Sequence, residues 1–133
     1  MGKYFKLEEL CKSKTAKKLG IDNTPETHER ASILALIHNL LDPLRSAYGL
    51  PITVNSGYRC KELNSAVGGV YASQHTKGEA ADITAGSPTE NQRLFELVQQ
   101  LELPFDQLID ERGYSWIHLS YVGVTNRKEV LHL

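Results

Sequence analysis

Two short segments far apart in the chain carry the residues that most constrain how it can fold. The first is SQHTKGEAAD, from Ser73 to Asp82, and the second is SWIHLSY, which contains His118. Together they supply two imidazoles and one carboxylate, a donor set that can hold a metal ion and leave one coordination position open. A fold that uses this set must bring His75, Asp82 and His118 to one point.

The donor set is typical of catalytic zinc, which usually keeps three protein ligands, whereas structural zinc is closed off, commonly by cysteines. Cys11 and Cys60 form no C-x-x-C pair, and neither H-E-x-x-H nor a deaminase signature occurs. Gly78 allows the first segment to fold back on itself. His118 lies in a predicted strand of alternating polarity, so its side chain projects from a rigid element.

The segment from Ser73 to Asp82 fits the pattern S-x-H-x-x-G-x-A-x-D at every fixed position. It resembles the zinc D-Ala-D-Ala carboxypeptidase family of peptidoglycan metallopeptidases, which includes D,D-dipeptidases and phage L-alanoyl-D-glutamate endolysins and is related in fold to the hedgehog signalling domain. Further similar blocks are LGIDNTP, LLDPLR, PITVNSGYRCKELNSAVGG, FDQLIDE and WIHLSY. The resemblance therefore extends over nearly the whole chain.

The resemblance implies a ligand set and a substrate. His75, Asp82 and His118 would bind Zn²⁺, and Arg59, in the block SGYR, would contact a peptidoglycan stem peptide. The planar guanidinium suits this task, because it can grip a carboxylate through two hydrogen bonds or stabilise negative charge on a carbonyl oxygen. The alternative is a solvated loop arginine. The bond that is cut, at D-Ala-D-Ala or inside the stem peptide, stays open.

The general base departs from the pattern of many family members, which carry a carboxylate three residues before the last zinc histidine. This chain has Ser115 there, and serine cannot replace a carboxylate at neutral pH. The nearest carboxylates, Asp110 and Glu111, are separated from His118 by Arg112-Gly113-Tyr114, a predicted hairpin turn. Because the most similar members carry an FDQLI-x-E run, we predict that Glu111 is the base. Otherwise it is an exposed turn carboxylate that pairs with the neighbouring arginine.

Other polar and aromatic residues near these motifs are open to two interpretations. Ser73 and Gln74 precede the first ligand, and we predict that they bind substrate or orient His75, although ordinary loop polarity would also explain them. Gln107 faces either the site or solvent. Trp116 either forms a wall of the cleft or packs in the core.

The 133 residues suffice for one zinc peptidase domain, which we expect to span residues 1–133 as a monomer. With 15 basic and 16 acidic residues, the net charge of −1 provides no electrostatic footprint for nucleic acid. The basic run from Lys12 to Lys18 is typical of a solvated helix end, and a site for anionic cell-wall polymer is the alternative.

The first residues, MGKYFKLEELCKSK, lack the apolar core of a secretory signal, and no segment is apolar enough to span a membrane. We therefore expect a protein that is cytoplasmic as synthesised, which would suit a phage or prophage protein acting on the cell wall. A second functional hypothesis is a non-catalytic zinc-containing module that binds cell-wall peptide or a protein partner. Ser115 in place of a carboxylate favours this hypothesis.

Caps, turn residues and apolar periodicity predict the elements of an α+β fold. The predicted helices are Leu7 to Cys11, a main helix capped by Thr24 that runs to Gly49 with a kink at Pro43, Lys61 to Val67, and a helix capped by Ser87 that runs to Leu101. The predicted strands are Ile52 to Asn55, Ala80 to Thr84, and a hairpin of Phe105 to Glu111 with Ser115 to Tyr121. A small, mainly antiparallel sheet would carry the zinc site, with helices on its flanks.

Overall fold

The computed structural model of the protein describes residues 3–133. Its helices are α1 (Leu7–Cys11), α2 (Lys14–Leu19), α3 (Thr27–Leu36), a π-helical segment (Ile37–Leu41), α4 (Asp42–Tyr48), α5 (Lys61–Ala66), a 3₁₀ helix (Gln74–Lys77) and α6 (Pro88–Gln100). Its strands are β1 (Thr53–Ser56), β2 (Ala80–Thr84), β3 (Gln107–Glu111), β4 (Trp116–Ser120) and β5 (Glu129–His132). None of the helices in this part of the chain is both long and apolar enough to cross a membrane.

The five strands form one mixed sheet in the order β1-β2-β4-β3-β5. The pairs β1 with β2, β2 with β4, and β3 with β4 are antiparallel, and only β3 with β5 is parallel. The predicted class, α+β with a mainly antiparallel sheet flanked by helices, is confirmed. The register places Asp82 opposite both Ser56 and His118, so these three side chains share one face of the sheet.

The other face of the sheet packs into the hydrophobic core. Ala81 and Ile83 of β2 and Ile117 and Leu119 of β4 are fully buried there. They belong to one cluster with apolar residues of the helices, among them Ile33, Leu36, Leu40, Leu94 and Val98. Period-two alternation along the strands thus separates a dry face from the face that carries Asp82 and His118.

The main helix begins later than predicted and contains an irregular turn. Thr24 does not cap it, because the backbone N–H and hydroxyl of Thr24 both donate to Asp22 Oδ1 in a local turn. The helix starts at Thr27 after an extended Glu26. The structure has a π-helical segment before α4 in place of a simple kink at Pro43. Pro43 has no N–H to donate to the preceding turn, so an irregular turn at this point is expected.

The remaining predicted helices and strands are confirmed to within about two residues, but three elements were missed: α2, the 3₁₀ helix and β5. Helix α2 is capped by Ser13, whose hydroxyl accepts from the Ala16 N–H at 3.1 Å, and it ends at Gly20 with φ 70°. Only Ala16 of this helix is buried, so its sequence lacks the apolar periodicity that predicts a helix. Strand β5 is a four-residue strand at the sheet edge.

Candidate metal centre

Three side chains from a loop and two strands converge on the polar face of the sheet. Asp82 and His118 are direct neighbours across β2 and β4, with His118 Nδ1 3.2 Å from Asp82 Oδ1. His75 comes from the 3₁₀ helix, and its Nε2 lies 3.4 Å from the same carboxylate oxygen. The candidate ligand atoms of the three residues all lie within 4.8 Å of one another. The residues that the sequence singled out therefore meet at one point.

The loop that carries His75 is fixed by its own polar groups and by helix α3. Ser73 Oγ accepts a hydrogen bond from the His75 backbone N–H at 3.1 Å, so this serine holds the loop in place. Gly78 ends the 3₁₀ helix with φ 74°, a conformation that favours glycine. A Cβ at Gly78 would also lie 2.6 Å from the carbonyl oxygen of Glu29, so glycine is required for close packing on α3.

A backbone carbonyl sets the orientation of the His75 ring. Nδ1 of His75 lies 2.7 Å from the carbonyl oxygen of Gly57, which can only accept a hydrogen bond. The Nδ1–H therefore donates to Gly57, and Nε2 faces Asp82 with its lone pair available. Gly57 reaches this position because it has no side chain, since a Cβ there would lie 2.3 Å from the carbonyl oxygen of Leu10.

The charge of Asp82 matches the needs of a metal ligand. Burial alone would raise the pKa of its carboxyl, but the neighbouring rings of His118 and His75 outweigh burial and hold the pKa well below its usual range. His118 directs Nδ1 towards this carboxylate, and its Nε2 is buried without a partner among residues 3–133. Two imidazole nitrogens and an ionised carboxylate are a donor set that fits Zn²⁺.

Arg59 follows β1 and is attached to the same loop. Its backbone N–H donates to the carbonyl oxygen of His75 at 3.0 Å. Burial lowers the pKa of the guanidinium, while the charges of Asp82 and Glu111 raise it, so both carboxylates interact with the guanidinium through their charge. The Nε donor of Arg59 is buried and has no partner in the described chain. A positive donor group thus stands beside the candidate ligands with hydrogen-bonding capacity to spare.

Glu111 lies at the end of β3, opposite Trp116, on the sheet face that carries Asp82 and His118, which we call the metal-bearing face because it holds the candidate ligands. Its Oε2 accepts a hydrogen bond from Trp116 Nε1 at 3.2 Å, and no ion pair within residues 3–133 joins it to Arg112. Trp116 is half-buried on the same face as His118 and is not part of the core cluster. Ser115 Oγ donates to the Arg112 carbonyl at 2.6 Å and so serves the turn.

The neighbouring carboxylate, Asp110, points the other way. It is buried on the face opposite Glu111, where it accepts a hydrogen bond from His132 Nδ1. Strand alternation therefore leaves Glu111 as the member of this pair that can reach the metal-bearing face.

Two cavities flank the cluster. One, of about 600 Å³, is lined by Arg59, by β1 and by Lys12 and Lys14. The other, of about 410 Å³, is lined by Ser73, Gln74, Gln107 and His118 among others. Lys12 and Lys14, the first two lysines of the basic run, therefore line the first cavity, a groove beside β1, together with Arg59. The interpretation of this run as a solvated helix end did not predict this position.

A sequence model of the peptidase M15 family matches residues 3–120. The chain belongs to this family. A zinc D-Ala-D-Ala carboxypeptidase from Streptomyces albus G is 52% identical over 48 residues. That match covers 35% of this chain and 19% of the relative, so the chain spans only a small part of the relative's length. The family match confirms the resemblance on which the prediction of a zinc metallopeptidase rests, and this relative is named for zinc.

The sequence did not reveal a second polar cluster beside the metal centre. Asp106 is 2% exposed and accepts hydrogen bonds from Gln74 Nε2 at 2.8 Å and from Arg127 Nη2 at 2.8 Å. Arg127 lies outside the segment that matches the family and 21 residues from Asp106 along the chain. Only the pairing of β5 with β3 brings them together, and the sequence shows no signal for that pairing.

Proposed function

We propose that this protein is a zinc-dependent peptidase that hydrolyses a peptide bond in peptidoglycan stem peptides. The observation that carries the proposal is the convergence of His75, Asp82 and His118 beside the guanidinium of Arg59. The three residues hold Zn²⁺, which supplies Lewis acidity for amide hydrolysis when it is bound. Residues 1–133 act as one zinc peptidase domain and as a monomer.

Arg59 binds the substrate at a carboxylate or at the carbonyl oxygen of the scissile bond. Its buried, unpartnered Nε donor supports this role, because a substrate oxygen would satisfy it. The Asp82 and Glu111 carboxylates nearby help to keep the guanidinium charged despite its burial. Binding by Arg59 orients the scissile bond towards the metal-bearing face.

Glu111 acts as the general base. It takes a proton from the attacking water and then passes this proton to the leaving amine. Its position on the metal-bearing face supports the role, as does the hydrogen bond from Trp116 Nε1 to Oε2, which fixes one carboxylate oxygen and leaves the other available.

The groove beside β1 supports an acidic substrate. Lys12 and Lys14 line it together with Arg59, and no salt bridge in the described chain involves either ammonium group. Stem peptides carry free carboxylates, so they complement a groove with three cationic side chains. Ser73 and Gln74 contribute substrate contacts on the other side of the cluster, in the cavity that contains His118.

Bound zinc and released peptides test the proposal together. The purified protein should retain about one zinc per chain after desalting, and mass spectrometry of digested peptidoglycan should show new fragments whose masses identify the bond that is cut. Absence of new fragments at high protein concentration would overturn the peptidase proposal for this substrate class.

A substitution at Glu111 tests the assignment of the base. Glu111→Gln should lower the hydrolysis rate by about 10²- to 10⁴-fold, because the amide cannot accept the proton, and it should leave bound zinc unchanged. The matched control is Glu96→Gln, the same change at an exposed position of α6. Wild-type rates in Glu111→Gln would show that another group serves as the base.

A second candidate function is a non-catalytic zinc-containing module that binds cell-wall peptide or a protein partner. The observation in its favour is Ser115, which occupies the position of the usual carboxylate and directs its hydroxyl to the Arg112 carbonyl. In this case Glu111→Gln would change little, and a stem peptide would bind without being cut. Calorimetric binding without any fragment in the mass spectrum would favour the module.

A further inference from the structure

The polar cluster of Gln74, Asp106 and Arg127 stands next to the metal centre. Arg127 approaches Asp106 with its side chain and its backbone: Nε and the backbone N–H each donate to Oδ1 at 3.0 Å, and Nη2 donates to Oδ2 at 2.8 Å. Oδ2 also accepts from Gln74 Nε2 at 2.8 Å. The hydrogen bonds from Arg127 are the main reason that the pKa of Asp106 is lowered to about 2. Asp106 is therefore ionised at neutral pH.

An ionised carboxylate determines which way the Gln74 amide points. Because a carboxylate can only accept hydrogen bonds, the amide must present its NH₂ group to Asp106 and direct its oxygen elsewhere. The Gln74 oxygen, Oε1, is buried and has no partner among residues 3–133. The same side chain lines the cavity that contains His118. An acceptor of fixed orientation is thus left unsatisfied beside the candidate metal ligands.

We propose that Gln74 Oε1 accepts a backbone N–H of the bound peptide, and that Asp106 and Arg127 are positioning residues that hold the amide in this orientation. This inference rests on the proposed function, because it assigns a contact within the same substrate site. The ligand chemistry is an extended peptide with an N–H next to the scissile bond. Such a donor would satisfy an oxygen that is otherwise buried without a partner.

The position of Arg127 in the fold explains how its hydrogen bonds to Asp106 can form. The segment after β4 returns to place β5 beside β3, and the Glu129 N–H donates to the Asp106 carbonyl at 2.9 Å. The side chain of Arg127 is 56% exposed, yet its guanidinium bonds to a carboxyl that is almost fully buried. The end of the chain thus controls the orientation of a side chain adjacent to His75.

A thermodynamic cycle in binding tests the contact without requiring catalysis. The probe is a synthetic stem pentapeptide ending in D-Ala-D-Ala, together with analogues in which each peptide bond is replaced in turn by an ester. Binding is measured by calorimetry on zinc-loaded protein in the Glu111→Gln background. We expect one ester to weaken binding by about 10-fold, and Gln74→Met to abolish the difference between that ester and the parent peptide.

The positioning role has its own variants. Asp106→Asn offers an NH₂ to the Gln74 oxygen, so the amide can turn round, and the sensitivity to the ester should be lost while bound zinc is unchanged. If Asp106→Asn does not fold, Arg127→Gln, at the exposed end of the pair, replaces it as the test variant. It should also reduce the sensitivity of binding to the ester. Gln107→Met is the matched control, because it removes an amide from the same cavity that is bonded instead to Glu129.

The outcomes separate this inference from the proposed function. The contact is overturned if the ester effect is unchanged in Gln74→Met. It is also overturned if protein that keeps Gln74 binds every ester as tightly as the parent peptide. An ester effect that persists in both Asp106→Asn and Arg127→Gln overturns the positioning role. Failure of the wild-type protein to cut peptidoglycan would instead contradict the peptidase proposal and leave the binding cycle measurable.

Discussion

The two faces of the central strands β2 and β4 differ in how completely their polar groups are satisfied. On the helix-covered face, side chains such as Ile117 and Leu119 are fully buried among apolar neighbours. Asn91, a buried polar residue on that side, bonds to the Ala85 N–H at 2.6 Å and the Tyr114 carbonyl at 2.8 Å. The metal-bearing face instead keeps buried donors and acceptors without partners.

Four buried side-chain atoms in the described chain have no hydrogen-bond partner. Three of them belong to the metal-bearing side: Arg59 Nε, Gln74 Oε1 and His118 Nε2. The fourth, Asn64 Oδ1, belongs to α5 and lies against Gly69. Because native proteins satisfy nearly all buried polar groups, this concentration indicates a face built to meet a ligand, whereas the other face is built for stability.

The strongest test of this difference removes a side chain from the metal-bearing face. His118→Ala should abolish zinc retention and lower hydrolysis by at least about 10³-fold, since two donors cannot hold the ion as three do. The metal-free protein should keep its free energy of unfolding to within about 1 kcal/mol. Zinc content and urea unfolding measure the two quantities, and retention of stoichiometric zinc would contradict the ligand assignment.

The adjacent residue on the other face should show the opposite pattern. Ile117→Ala should lower the free energy of unfolding by about 2–5 kcal/mol, because it leaves a cavity in a fully buried site. Zinc per folded chain should stay at the wild-type value. A loss of stability below about 1 kcal/mol would show that this face is less tightly packed than the burial of Ile117 indicates.

Lowering the pH should reduce the free energy of unfolding through protonation of Asp106, on the metal-bearing side. Its folded pKa is about 2, below the unfolded value of about 3.9, so the carboxylate stabilises the fold by about 2 kcal/mol above pH 4. This contribution is lost as the pH falls from about 4 towards 2. Urea unfolding across this range should give a flatter pH profile for Asp106→Asn than for the wild type, and superimposable profiles would rule out the linkage.

The smallest predicted effect concerns a helix cap on the core side. Ser87 Oγ accepts from the Glu90 N–H at 3.2 Å, so Ser87→Ala should cost about 1 kcal/mol of stability. Neither zinc binding nor hydrolysis should change. The control is Ser46→Ala, the same change at an exposed position within α4, which should alter stability by less than about 0.5 kcal/mol. An equal loss of stability in both variants would show that Ser87 does not stabilise the helix as a cap.

The sequence predicted the elements whose signals are local. The strand Ala80 to Thr84, the hairpin turn at Arg112 to Tyr114 and the cap at Ser87 all follow from alternation, turn residues and capping chemistry. The meeting of the three candidate ligands was also predicted, because the motif spacing and the resemblance to a known family both indicated it. These features depend on short stretches of chain.

Other features depend on competition between local and distant contacts. Thr24 has the chemistry of a helix cap, but the Asp22 carboxylate nearby captures its donors, and the helix starts later. Helix α2 has almost no apolar face, so no periodicity marks it. The Asp106 to Arg127 pair requires the parallel placement of β5, which follows from tertiary packing and not from a local pattern.

One short stretch of backbone holds two functional groups at once. The Gly57 carbonyl accepts a hydrogen bond from His75 Nδ1, and the Arg59 N–H donates to the His75 carbonyl, so the proposed substrate-binding arginine and the proposed first ligand are attached to the same segment of backbone. Any movement of that segment displaces both in concert. Under the proposed roles of these two residues, loss of zinc should therefore also weaken the binding of a substrate peptide.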